Sequence, residues 1–302
     1  MERLVAGSRG SELALRQVAF VKDRLEAEGY LVEIRVIRTT GDSFPRASLI
    51  QPGSKGLFVR EIEEALAEGE IDLAVHSLKD LPVEQPPNLD LAAIPGREDA
   101  RDVLISREGC RLGELGAEAR LSTSSLRRQS QLRCLRPDLR IVPIRGNVDT
   151  RVRKMRQGEC DGLVLAAAGL NRLGLQSLIT EYFHPAEICP AVGQGALAIE
   201  IRRDNDRVKR AVQLLDDANT HTAVNAERMV LRRLGGGCQT PIAVHAEVED
   251  KVLRMRGVVA NPEGARVIRA VAEGPVDDAS TVSDELAVSL IQQGAEAILR
   301  SG

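Results

Sequence analysis

Ile71-Asp72-Leu73-Ala74-Val75-His76-Ser77-Leu78-Lys79-Asp80-Leu81-Pro82 decides how the chain is read. Its first five residues make a short, largely apolar run of the kind that forms a strand buried in a parallel sheet. The charged pair Lys79-Asp80 follows at the strand's carboxyl end, and Pro82 stops the segment. Open α/β sheets bind their ligands beyond the carboxyl ends of the strands, so Lys79 and Asp80 are candidate functional residues. The plain alternative is a local surface ion pair, which contributes little. His76, taken alone, reads as a structural hydrogen-bonder.

Outward from this strand the chain alternates strand and helix. Strands are expected at 3–7, 32–38 and 89–94. A helix is expected at 11–28, with Leu13, Leu15, Val18, Val21 and Leu25 spaced for burial, and another at 58–68. The pattern restarts near Arg101, with strands at 103–106, 121, 141–145 and 162–165 and helices around 125–133 and 148–157. Such succession implies right-handed crossovers and a doubly wound sheet. Two restarts imply two sheets with a cleft between them. Pro95-Gly96 and the stretch from Pro185 to Pro190 are the candidate hinges. A strand at 195–202 and helices at 208–215 and 222–234 follow. Three strand-like runs (242–248, 252–259, 266–272) and a closing helix at 283–299 then make an α+β tail of different architecture.

Composition narrows the function classes. The 302 residues are 43% hydrophobic and 28% charged, ordinary values for a globular chain long enough for two or three domains. Aromatics are only 2%, so the cores must be aliphatic and base-stacking platforms are lacking. The five cysteines are dispersed and odd in number, and the four histidines never fall at ligand spacing, which argues against a disulfide framework and a metal site. No apolar run of about 18 residues occurs, and the first residues already read as a strand. The expected setting is a reducing cytoplasm.

Net charge is −3, unevenly spread. Residues 101–172 hold 15 Lys+Arg against 8 Asp+Glu, and all but one of those cations are arginine. Arginine favours planar, bidentate recognition of carboxylate or phosphate. Three loops that open helices repeat one theme: Gly7-Ser8-Arg9-Gly10-Ser11, Ser122-Thr123-Ser124-Ser125 before Arg127-Arg128, and Arg145-Gly146-Asn147 before Arg151. Each cap is ordinary by itself. Arginine recurring at all three points to a polyanion site rather than a solvated basic face. Gly193-Gln194-Gly195 lacks the third glycine and the helix that a dinucleotide fingerprint needs.

Leu234-Gly235-Gly236-Gly237-Cys238-Gln239-Thr240-Pro241 displays a thiol on a loop that three glycines keep out of helix and strand. A packing cysteine would sit inside an apolar element, so Cys238 is a candidate for chemistry at sulfur.

Taken together, Gly53-Ser54-Lys55-Gly56-Leu57-Phe58, the 72–82 stretch, Thr123-Ser124-Ser125-Leu126-Arg127-Arg128, Arg145-Gly146-Asn147-Val148, Ala168-Gly169-Leu170-Asn171-Arg172-Leu173, Pro190-Ala191-Val192-Gly193-Gln194-Gly195 and Gly236-Gly237-Cys238-Gln239 resemble the porphobilinogen deaminase family, in the family's order. The resemblance implies an α/β fold of two doubly wound, periplasmic-binding-protein-like domains with a cleft between them, plus a small C-terminal α+β domain. The implied boundaries are 1–96 with 194–216, 97–193, and 217–302.

The implied enzyme is a monomeric transferase that deaminates four porphobilinogen molecules, joins them head to tail, and releases hydroxymethylbilane by hydrolysis. Its cofactor would be a dipyrromethane, bonded to Cys238 through a thioether. Asp80 matches the catalytic acid. Lys79, Ser125, Arg127, Arg128, Arg145 and Gly146 match cofactor contacts. Arg9, Ser11, Lys55, Arg151, Arg172 and Gln194 match substrate contacts. Arg60 and Asn171 stand where many relatives have lysine. No obligatory protein partner is implied beyond transient contact with the next enzyme of the pathway. The rival readings are a non-catalytic two-domain anion sensor or transport module, which leaves the cysteine loop unexplained, and a nucleic-acid binder, which would want aromatics and a positive total charge.

Overall fold

The computed structural model describes residues 2–39, 59–236 and 240–300. Two compact units divide the chain: Met1–Arg97 with Ala196–His221, and Glu98–Gly195 with Thr222–Gly302.

The first unit is built on a five-stranded sheet in the order Tyr30–Val36, Glu2–Ser8, Leu73–Ser77, Leu197–Arg202, Leu89–Ala93. The first three strands are parallel, and Leu197–Arg202 runs antiparallel to both of its neighbours. The helix Glu12–Ala27 starts at Ser11, whose hydroxyl accepts the Ala14 N–H at 3.4 Å. It buries Val18, Val21 and Leu25 against Leu4, Ala6, Val32 and Leu73. Each such fully buried side chain contributes about 1.5–3 kcal/mol.

The expected apolar stripe is shorter than its spacing suggested. Leu15 is 36% exposed, and Leu13 lines a pocket instead of the core. The first helical turn overhangs the carboxyl ends of the strands, so the sheet gives it nothing to pack on. On the other face the helix Arg60–Ala67 buries Ile62, Ala65 and Leu66 against Ile71, Ala74 and Leu89.

The second unit repeats the plan. Its sheet runs Arg140–Val142, Arg120–Ser122, Gly162–Ala166, Asp102–Ser106, Glu181–Tyr182. Again the first three are parallel and the fourth is antiparallel. Two sheets of one order are the paired doubly wound units that the resemblance implied. The strand expected at 103–106 as the opening member of a βαβ succession is Asp102–Ser106, and it runs antiparallel to both of its neighbours. The connection from it to Arg120–Ser122 holds only the short 3-10 turn Leu112–Glu114 and no crossover helix.

The C-terminal segment is a three-stranded antiparallel meander, Ile242–Glu249, Val252–Ala260 and Val267–Pro275. Its first hairpin turns through Asp250 and Lys251, both at positive φ, as a two-residue loop between twisted strands requires. The expected single closing helix is two, Ala279–Gln292 and Ala295–Arg300, parted by Gly294 at φ +96°. Leu286 and Leu290 of the longer helix are fully buried.

Candidate active site

The strand Leu73–Ser77 ends in the 3-10 turn Leu78–Asp80, and the turn holds Asp80 at the mouth of a pocket. Arg9, Ser11, Gln17, His76 and Ser77 line the same pocket. Each comes from the carboxyl end of a strand or the helix start that follows one, so the sheet topology converges them. Gln17 Nε2 donates to Ser77 Oγ at 2.8 Å, which ties two neutral lining groups together. Asp80 is exposed, and its carboxylate makes no hydrogen bond or ion pair with the described residues. It is therefore available to a ligand. Lys79, half-buried, sits beside it on the turn.

A second cluster lies in the other unit. Asp102 is fully buried and binds two buried arginines. Its Oδ2 accepts from Arg127 Nη1 at 2.6 Å, and its Oδ1 accepts from Arg128 Nη2 at 2.7 Å and Nε at 3.0 Å. Arg127 also donates to the Cys189 carbonyl at 2.6 Å, and Arg128 to the Val164 carbonyl at 3.2 Å. Gln194, 1% exposed, donates to Asp102 Oδ1 and to the Ala100 carbonyl, and its Oε1 accepts from Arg128. Ser125 caps the helix Leu126–Leu135 that carries both arginines.

Burial pushes the Asp102 carboxyl up, but the Arg127 and Arg128 guanidiniums outweigh it and hold the group well below the carboxylate range. Burial lowers Arg128, against the pull of Asp102. One carboxylate faces two guanidiniums, which leaves this network one positive charge in excess. A buried charge needs a counter-ion. The donor set fits an anionic ligand.

Arg145, Gly146 and Arg151 form a third group at the start of the helix Val148–Arg156. Arg145 has no ion-pair partner among the described residues. Gly146 holds φ +123°, and a Cβ there would meet Thr150 Cγ2 at 2.6 Å, so the loop keeps an open backbone edge that no side chain could share. Arg151 Nε donates to the Gly146 carbonyl at 2.8 Å and fixes that edge. Arg172 donates to the Gly195 carbonyl at 2.7 Å, while Asn171 donates to Glu98. Burial lowers Arg172, opposed by Glu98. Several cations with spare donors thus gather in one unit, a geometry suited to a ligand with many carboxylates.

Arg9, Ser11 and Asp80 are therefore brought together, as are Arg127, Arg128 and Gln194, and separately Arg145, Gly146 and Arg151. Cys238 and Lys55 lie outside the described residues. Sequence reasoning did not single out Asp102 or Glu200. The arginine excess at 101–172 was a usable signal for the first, because buried arginines require an internal anion.

The comparisons with known proteins span nearly all of the chain. A family model described as porphobilinogen deaminase, dipyromethane cofactor binding domain, matches residues 4–210. A second, described as porphobilinogen deaminase, C-terminal domain, matches residues 221–292. The porphobilinogen deaminase of Syntrophobacter fumaroxidans is 47% identical over 97% of this chain and 96% of its own length. That of Syntrophotalea carbinolica is 49% identical, covering 97% and 94%. That of a Roseiflexus species is 47% identical, covering 99% of each.

Proposed function

This chain belongs to the porphobilinogen deaminase family, and from that premise we propose that Asp80 is its catalytic carboxylate and Cys238 the attachment point of its dipyrromethane. The protein is an enzyme of tetrapyrrole biosynthesis that deaminates porphobilinogen. The observation that carries the residue assignment is the exposed, unpartnered Asp80 carboxylate in a pocket with Arg9 and Ser11.

Porphobilinogen bears acetate and propionate groups, which Arg9 binds while Ser11 orients the ring. Loss of ammonia leaves positive charge on the substrate's pyrrole. The Asp80 carboxylate accepts a hydrogen bond from the pyrrole N–H and faces that developing cation. At about 4 Å the attraction is roughly 4 kcal/mol at an effective dielectric near 20, a preorganised electrostatic contribution. The dipyrromethane supplies the free pyrrole end to which each deaminated unit is added. Cys238 would hold it through a thioether. Arg127, Arg128 and Arg145 would hold its carboxylates, with Ser125 and Gly146 as further contacts of the same unit, and Lys79 is assigned to the same cofactor. Arg151, Arg172, Lys55 and Gln194 serve the incoming and growing substrate chain. The excess positive charge around Asp102 and the unpaired Arg145 support this division. The proposal also holds that the enzyme acts in the cytoplasm without an obligatory protein partner, and that residues 1–96 with 194–216, 97–193 and 217–302 are its three domains.

Two measurements test it. Intact mass of wild type should exceed the sequence mass by two pyrrole rings, and the protein should colour with an aldehyde reagent for pyrroles. In holoenzyme with that adduct present, activity should rank wild type, then Asp80→Glu, then Asp80→Asn. Glu keeps the charge but moves it by a methylene, whereas Asn removes it. An Asp80→Asn holoenzyme as active as wild type would reject the catalytic role.

A further inference from the structure

A short loop, Cys189 to Gln194, lies between the arginine cluster and the C-terminal meander. Its start is held by the helix that carries the arginines: Arg127 Nη1 and Gln131 Nε2 donate to the Cys189 carbonyl, and the Cys189 N–H donates to Gln131. Cys189 also packs on Ala243 and Val258 of the meander. The end of the loop is held by Glu227, on the helix Ala218–Arg233. Glu227 is fully buried. The Gly193 N–H donates to its Oε2 at 2.6 Å, and the Ala246 N–H donates to its Oε1 at 2.8 Å. Gly193 sits at φ +69°, a conformation that favours glycine.

The next residue is Gln194, whose side chain meets Ala100, Asp102 and Arg128. A continuous hydrogen-bonded path thus runs from Ala246 through Glu227, Gly193-Gln194 and Asp102 to the two guanidiniums. The helix of Glu227 leads into Gly235-Gly236-Gly237-Cys238, and the strand of Ala246 follows that run in sequence. Helix end and strand start touch each other: a Cβ at Gly236 would meet Ile242 Cδ1 at 2.3 Å and Leu231 Cδ1 at 2.8 Å. One side chain therefore ties both flanks of the thiol-bearing run to the arginine cluster. An apolar residue at 227 could fill the space, but it would leave two buried N–H groups unpaired.

We propose that Glu227 is a positioning residue for cofactor loading, which sets the Arg127–Arg128 cluster in register with the segments that flank the attachment cysteine. The inference rests on reading Arg127 and Arg128 as partners of the dipyrromethane carboxylates. Glu227 acts through Gly193 and Gln194. With Gly193 held, Gln194 keeps its place between Asp102 and Arg128, so the guanidinium directions are set before a carboxylate arrives. Without that hold the glycine turn has many conformations open to it, and Gln194 no longer fixes Arg128. The thiol and the arginines lie on separate stretches of chain, and loading needs both in place at once.

The test follows full-length apoprotein, produced in cells starved of porphobilinogen, by intact mass after porphobilinogen is added. Glu227→Gln keeps the size but turns one acceptor into a donor that faces an N–H. Its adduct should form more slowly, on the order of tenfold to a hundredfold. Leu286→Ala empties a fully buried position in the closing helix and is the control for lost stability. It should lower Tm at least as far as Glu227→Gln does, and still load at the wild-type rate. The guanidinium 15N–1H signals of Arg127 and Arg128, assigned by their loss in lysine variants, should shift in Glu227→Gln and stay in place in Leu286→Ala. In wild-type holoenzyme the Gly193 and Ala246 amides should exchange slowly and at one common rate, because one side chain holds both; this readout needs no variant to fold. Wild-type loading by Glu227→Gln, an equal loading defect in Leu286→Ala, unmoved arginine signals, or a fast-exchanging Gly193 amide would each overturn the inference. Failure of the cofactor reading appears separately, as wild-type loading in both Arg127→Leu and Arg128→Leu.

Discussion

Asp102 Oδ2 accepts from Arg127 Nη1 at 2.6 Å while neither side chain reaches solvent to any useful extent. Burying this pair is favourable only because the geometry is close and Arg127 Nη1 also meets the Cys189 carbonyl. Asp102→Asn would leave two guanidiniums buried without an anion. Loss of such a partner costs about 3–5 kcal/mol, so thermal unfolding should show a large drop in Tm. Because the folded carboxyl is held low, its contribution is present above about pH 3.8 and is lost only as pH falls through the depressed value. A variant with wild-type Tm at neutral pH contradicts this account.

The arginines should separate by what they already hold. Arg127→Leu and Arg128→Leu remove partners of Asp102, so both should lose stability and should acquire the pyrrole adduct poorly. Arg145→Leu removes a side chain with no ion pair among the described residues. Its stability should stay within about 0.5 kcal/mol of wild type, while porphobilinogen turnover falls. Calorimetry beside adduct mass distinguishes the two classes, and equal stability losses in all three would contradict the division.

Thiol reactivity should follow burial. Cys134 is exposed and Cys110 partly so, whereas Cys160 and Cys189 are fully buried. Burial pushes the Cys189 thiol up to about 12, which leaves almost no thiolate at neutral pH. A maleimide applied to native protein should label Cys134 first, Cys110 more slowly, and neither buried thiol before unfolding. Cys238→Ser should fold and yet carry no adduct, since an alcohol is the poorer nucleophile. Peptide mapping reads both outcomes, and labelling of native Cys189 would contradict the burial argument.

Glu63 should make stability fall with pH. Its carboxyl moves from 4.5 to about 7 on folding, so its contribution is full below pH 4.5 and is lost as pH rises through 7. Glu63→Gln cannot lose it. The Tm of the variant should therefore gain on wild type from acidic to mildly alkaline buffer. A constant difference across that range contradicts the shift.

Much was legible in the chain because it is local. The apolar strand before Asp80, the Ser11 and Ser125 caps and the glycine-flanked Cys238 each depend on neighbours within a few residues. Those signals, in their order, were enough to place the chain in its family and to mark Asp80, Arg127 and Arg128. Other features depend on partners distant in sequence. Asp102 meets Arg127 across 25 positions and Glu200 meets His76 across 124. An acidic residue in a strand carries no mark of the cation it will face, because strand propensity depends on its own segment while ion pairing depends on how strands are ordered. The antiparallel fourth strand of each sheet brings both carboxylates inside. Only that strand order turned an ordinary aspartate into the counter-ion of two arginines, and an ordinary glutamate into the buried partner of a pocket histidine.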